Sequence, residues 1–264
     1  MDNILQSFTV RPSLYSDIWE NPSSDNFKEI KLKKEIREHL IAIAKDFIDS
    51  LGIDTLAIED ILFVGSLANY NWSEYSDIDL HIVIDKPKVN DDSILVDEFF
   101  TAKKELYNLK HNIKIKGFDV ELYVQAADEV LDTADGIYSI LYNKWRKEPN
   151  KQTPQINKKD IVKKVKEFNK KLIDISKEED PDAKILKLKK LKEKIRAYRK
   201  SGLNATGEFS TENLVFKYLR RSGYMDKLAD MGVDVKDEFL SLENQQYWYF
   251  PIFEYIYKKN NYFK

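Results

Sequence analysis

Residues 61–84 read ILFVGSLANYNWSEYSDIDLHIVI, and the second half of that run constrains the chain more than any other stretch. Ile78, Leu80, Ile82 and Ile84 alternate with the two-residue period of a β-strand. Asp77 and Asp79 therefore share the opposite face of the same strand. An exposed edge strand could carry such acids, but the apolar flanks argue for burial, where unpaired carboxylates are costly. A cation between them removes the repulsion, and Mg²⁺ takes oxygen ligands of this kind. Upstream, the apolar run DILFVG ends at Gly65 and Ser66. A glycine there permits a sharp turn and close backbone approach to a ligand. Backbone N–H groups just after a strand can cradle phosphate oxygens, and Ser66 adds a hydroxyl donor.

A third acid is offered by FDVELYVQ, which follows IKIKG in a run that reads as a hairpin about Gly117. Asp119 and Glu121 share one face of that strand, with Phe118, Val120 and Leu122 on the other. Either could join Asp77 and Asp79 to hold two metal ions. Two metals roughly 3.5–4 Å apart can clamp the attacking and leaving oxygens of an in-line displacement. His81 lies on the face of Asp79, where it could orient a carboxylate or simply make a local hydrogen bond. Tyr70, Trp72 and Tyr75 sit between the glycine turn and the acids. They could stack on a base, although core packing is the commoner use of such rings.

The remaining chain divides into two textures. Before about residue 154 the pattern alternates helices and strands. Ile36, Leu40, Ile43, Phe47 and Leu51 recur at helical spacing before Gly52, within a helix expected to begin near Phe27. A helix is expected over residues 93–110, and another over DGIYSILYNKWRKEP, stopped by Pro149. Pro149 and Pro154 flank polar residues and suggest a domain boundary, giving domains 1–154 and 155–264. Beyond it, Val162, Val165, Phe168, Leu172 and Ile175 form one helical stripe. Ile185, Leu188, Leu191, Ile195 and Tyr198 form a second after Pro181. STENLVFKYLRR is a third helix, with Ser210 as its N-cap and Gly223 as a break. The aromatic tail NQQYWYFPIFEYIYKKNNYF is expected to seal a core or an interface. The fold class is α/β (α+β): a mixed sheet flanked by helices, then a helical domain.

Composition narrows the function classes. The 264 residues contain no cysteine, which excludes thiolate zinc sites, disulfides and a cysteine nucleophile. MDNILQSFTV lacks the basic and apolar regions of a signal peptide, and no run has membrane-spanning character, so a cytoplasmic location is expected. The formal net charge is −2, yet residues 158–200 hold 17 Lys and Arg against 8 Asp and Glu. That asymmetry suits a polyanionic partner such as RNA, or else a solvated helical face.

Gly65-Ser66, then Asp77-x-Asp79 in an apolar strand, then an acid flanked by apolar residues resembles the DNA polymerase β-type nucleotidyltransferase superfamily. The likeness covers roughly residues 60–125. NYNW, YSDIDLH, VELYVQ and GEFSTENLVFKYLRR also resemble segments of nucleotidyltransferase-domain proteins of bacteria and phages. The resemblance implies that Gly65 and Ser66 hold the β- and γ-phosphates of a nucleoside triphosphate, expected to be ATP. It implies that Asp77 and Asp79 bind two Mg²⁺ ions. It gives the third acid, Asp119 or Glu121, to the metal nearer the acceptor, where it helps remove the hydroxyl proton. By the same analogy a helical domain closes the nucleotide cleft, with Lys217 and Arg221, four residues apart, facing the triphosphate and Arg220 beside them. The implied reaction moves a nucleoside monophosphate to a hydroxyl acceptor, RNA such as tRNA being one. A small aminoglycoside-like acceptor, synthesis of an oligonucleotide signal, and a nucleotide-binding module without catalysis are the alternatives.

Overall fold

The computed structural model describes residues 2–53, 57–127, 129, 136–151 and 154–241. By its contacts the chain divides into two compact units, Met1–Lys158 with Gly202–Leu214, and Lys159–Ser201 with Val215–Lys264.

The first unit opens with α1 (Asp2–Gln6) and a two-stranded ribbon, β1 (Trp19–Glu20) and β2 (Lys31–Leu32). The next helix, α2, spans Lys34–Leu51. It starts later than its stripe suggested, because Ile30 and Leu32 are buried with strand alternation and Leu32 pairs with Trp19. Ile36, Leu40, Phe47 and Leu51 are buried along it as expected, and Gly52 ends it in the left-handed region at φ 67°.

A six-stranded mixed sheet follows, in the order β5-β6-β4-β3-β7-β8. Its members are β3 (Ile58–Val64), β4 (Ile78–Ile84), β5 (Lys114–Ile115), β6 (Phe118–Ala126), β7 (Ile137–Ser139) and β8 (Lys144–Lys147). Strands β4 and β6 are parallel, which requires a crossover, and α3 (Ser93–Lys110) lies between them in sequence. Asp92 caps α3 by accepting from the N–H groups of Ile94 and Leu95. One sheet face packs on the main core, where Phe63, Ile78, Leu80, Ile82 and Leu122 meet Leu40, Phe47 and Phe100. The other face carries a small cluster of Leu62, Val64 and Val83.

The expected helix over 135–149 is instead the hairpin of β7 and β8. Tyr138 and Ser139 pair with Phe63 and Leu62 of β3, so the sheet edge supplies hydrogen bonds that a local helix would forgo. Asn143 turns the chain at φ 52°. The hairpin at Gly117 forms as expected, with Lys114 and Ile115 opposite Asp119 and Phe118.

In the second unit, α4 (Lys158–Ser176) buries Val165, Phe168 and Leu172, along with Ile161. Pro181 opens α5 (Pro181–Thr206), a position where its missing N–H costs nothing. Leu188, Leu191 and Ile195 are buried on it. The Phe168 and Tyr198 rings, 5.9 Å apart, join the two helices. Ser210, in the stretch Gly202–Leu214 that belongs to the first unit, precedes α6 (Thr211–Arg221), and its hydroxyl accepts from the N–H of Asn213. Gly223, at φ 72°, separates α6 from α7 (Tyr224–Leu240). The aromatic tail lies outside the described residues. Among the described residues no helix is long and apolar enough to cross a membrane.

Candidate metal centre

The register of three strands builds the site. Asp79 pairs with Val64 of β3 on one side and with Glu121 of β6 on the other. The side chains of Asp79 and Glu121 therefore stand side by side on the face opposite the main core. Asp77, just before β4, completes a group in which one carboxylate oxygen from each of Asp77, Asp79 and Glu121 lies within 4.8 Å of the others. All three are half-buried, so water screens their mutual repulsion incompletely.

Asp119 is not brought into this group. It precedes the stretch of β6 that pairs with β4, and its carboxylate accepts from Lys114 Nζ at 2.5 Å. Sequence parity alone could not separate Asp119 from Glu121, because the two lie on the same strand face. The strand register and the neighbouring β5 separate them.

Gly65 follows β3 at φ 82°, in the left-handed region. A Cβ at that position would overlap Oδ2 of Asp79. Glycine thus serves both the turn and the close approach of backbone to carboxylate. The turn is held by Asn69 Nδ2, which donates to Gly65 O at 2.9 Å. Trp19 Nε1 donates to Leu67 O at 2.8 Å. Ser66 opens a single 3-10 turn, and its hydroxyl shares a 2.7 Å hydrogen bond with that of Ser76. Ser76 Oγ also accepts from the N–H of Ser73 at 2.9 Å, so the segment leading to Asp77 is fixed from within.

Beneath the carboxylates lies a polar layer that the sequence signals only through strand alternation. Glu121, Tyr123 and Gln125 share a face, as do Asp79 and His81, and β4 and β6 set His81 opposite Tyr123. Tyr123 donates to Glu121 Oε2 at 2.6 Å. Burial raises the Tyr123 hydroxyl above its ordinary pKa, and the hydrogen bond to Glu121 and the charges of Glu121, Asp79 and Asp77 add to the rise. The phenol thus stays a donor to Glu121. His81 contacts the Tyr123 ring at 4.9 Å, and its Nδ1 lies 3.0 Å from Gln125 Oε1. Burial lowers the His81 pKa, opposed by the hydrogen bond to Gln125. His81 therefore meets its local hydrogen-bonding need rather than the carboxylates.

The aromatic candidates divide similarly. Tyr70 is buried in the core. Trp72 packs edge-on to Tyr15, lies under Arg11 and donates from Nε1 to Ser13 O at 2.9 Å. Tyr75 is half-buried in the segment before Asp77. Lys217 and Arg221 lie one turn apart on α6, half-buried, in the second unit, and Arg220 is exposed.

The donor set is chemically uniform: three carboxylates, no sulfur and no imidazole among the clustered ligands. Such a set fits a hard divalent cation. Its close spacing of like charges is the arrangement a cation would stabilise.

No family model matches the chain, and no curated protein matches it. A solved structure of a STING-associated CdnE c-di-GMP synthase from Capnocytophaga granulosa is similar to it at a TM-score of 0.25 and 12% identity. That likeness covers 78% of this chain and 84% of the other. At that distance it carries no argument, and the functional reading rests on the carboxylates and their setting.

Proposed function

We infer that the chain is a divalent-metal-dependent nucleotidyltransferase, moving a nucleoside monophosphate from a nucleoside triphosphate to a hydroxyl acceptor and releasing pyrophosphate. The observation that carries this reading is the convergence of Asp77, Asp79 and Glu121 from two parallel strands beside the Gly65-Ser66 turn. Bound Mg²⁺ would supply charge neutralisation at the attacking and leaving oxygens. Asp77, Asp79 and Glu121 would hold it. Glu121, steadied by the Tyr123 hydroxyl, is the carboxylate assigned to the acceptor side, where it would draw the hydroxyl proton. The N–H groups around Gly65 and the Ser66 hydroxyl would bind phosphate oxygens. Ser76 fixes the Ser66 hydroxyl in place. The rigid placement of these groups on strands limits the reorganisation needed during reaction.

The test is incubation with each α-labelled nucleoside triphosphate and Mg²⁺, first alone, then with RNA, then with small hydroxylated acceptors. The reading expects pyrophosphate release and label transfer in at least one arm, lost in Asp77→Asn. Triphosphate binding without pyrophosphate release in any arm would leave a binding module and contradict the reading.

A further inference from the structure

The second unit gathers charge of the opposite sign. Lys171 of α4 and Lys187, Lys190 and Lys194 of α5 line a groove of about 410 Å³ whose floor includes Ile175 and Leu191. Asp174 also lines it. Of the four lysines only Lys187 is paired with an acid, Glu178, among the described residues. Lys171 and Lys194 lie close enough that the Lys194 ammonium, with partial burial, pushes the Lys171 pKa below its ordinary value. Two facing ammonium groups repel, and long lysine stems can ordinarily swing apart into water. An anion shared between them turns that repulsion into attraction.

We propose that this groove binds the phosphodiester backbone of a single-stranded nucleic acid, with Lys171 and Lys194 on one phosphate and Lys187 and Lys190 on the next. A strand is favoured over a lone phosphate by the layout of α5. Lys187, Lys190 and Lys194 are spaced three and four apart, so they form a row along one helix face rather than a point. Seven residues of helix carry that row about 10 Å. The excess of Lys and Arg over residues 158–200 extends the positive field beyond the groove. Lysine suits this use because it meets phosphate as a point charge, and phosphate contacts hold a strand without reading its sequence. The inference goes beyond the proposed chemistry at the carboxylates and does not need it.

The experiment titrates the full-length protein against a short labelled single-stranded oligoribonucleotide in EDTA, between about 50 and 200 mM salt. EDTA makes binding independent of the carboxylates, so a failure here and a failure of nucleotidyl transfer are separately visible. For the two phosphates held in the groove the log–log salt slope should be roughly −1.4. The double variant Lys171→Gln, Lys194→Gln should bind on the order of tenfold more weakly at low salt and lose roughly half of that slope. Its melting temperature should match or exceed wild type, which separates lost binding from lost fold. Undetectable binding at low salt, or an unchanged slope in the variant, would overturn the proposal. So would equal competition, phosphate for phosphate, by tripolyphosphate, or binding to phosphatidylserine vesicles in place of the oligoribonucleotide.

Discussion

Two carboxylate sites occupy the same face of one sheet and differ in how the protein treats them. Asp60 on β3 is fully buried, yet its charge is met by an ion pair from the chain itself. Its Oδ1 accepts from Ser139 Oγ and from the N–H of Ile61, both at 2.8 Å, and its Oδ2 lies 2.5 Å from Arg146 Nη2. Asp77, Asp79 and Glu121, toward the other end of that face, are half-buried and surrounded by one another's charge. The first carboxylate is neutralised by the chain itself and ties β7 and β8 to β3. The others converge on one another, with one oxygen from each of three carboxylates within 4.8 Å of the rest, an arrangement a cation would stabilise. Burial alone would rank Asp60 as the functional acid; the convergence of three carboxylates reverses that ranking.

The contrast predicts opposite outcomes for substitutions of similar size. The largest effect is expected on transfer: Asp79→Asn and Glu121→Gln should each lower the rate by on the order of a thousandfold, about 4 kcal/mol in the barrier. Single-turnover label transfer would read this. Rates near wild type in either variant would remove those carboxylates from the chemistry. Next comes Asp60→Ala, which strands a buried serine hydroxyl, a backbone N–H and an arginine. It should cost on the order of 3 kcal/mol of stability in denaturant unfolding, with metal affinity of the folded protein retained. Gly65→Ala joins the two behaviours. Its positive φ and its closeness to Asp79 predict a loss of about 1–3 kcal/mol, together with weakened metal binding because Asp79 must move. The smallest effect belongs to Asp119→Asn. That residue is exposed and, among the described residues, paired with Lys114, so the change should stay within about 0.5 kcal/mol and leave most of the activity.

The sequence made one half of this comparison legible. Asp77 and Asp79 stand out because a two-residue period places both carboxylates against a run of isoleucine and leucine. Gly65 could be read as a turn, but the reason only glycine fits is Asp79, fourteen residues later and across a strand pair. The choice of Glu121 over Asp119 depends on parallel register, a property of two strands joined through α3 that neither strand encodes alone. Asp60 was invisible as a structural acid because its partners, Ser139 and Arg146, come from a hairpin whose own sequence reads locally as a helix. Strand β7 is only three residues long, and its conformation is decided by pairing with β3 rather than by periodicity. Helices α4 and α5 were clear for the converse reason, since each carries its apolar stripe within its own sequence.

The central claim is that the carboxylates are gathered for a cation and not for the fold. Thermal unfolding of wild type and Asp79→Asn across a Mg²⁺ titration tests it directly. The account predicts that wild type gains stability as Mg²⁺ rises, by about 2.7 kcal/mol at a hundredfold excess over the dissociation constant. It predicts that Asp79→Asn, relieved of like-charge repulsion, starts at least as stable as metal-free wild type and gains little from the metal. A wild type indifferent to Mg²⁺, or an Asp79→Asn protein destabilised without metal as Asp60→Ala is, would contradict it.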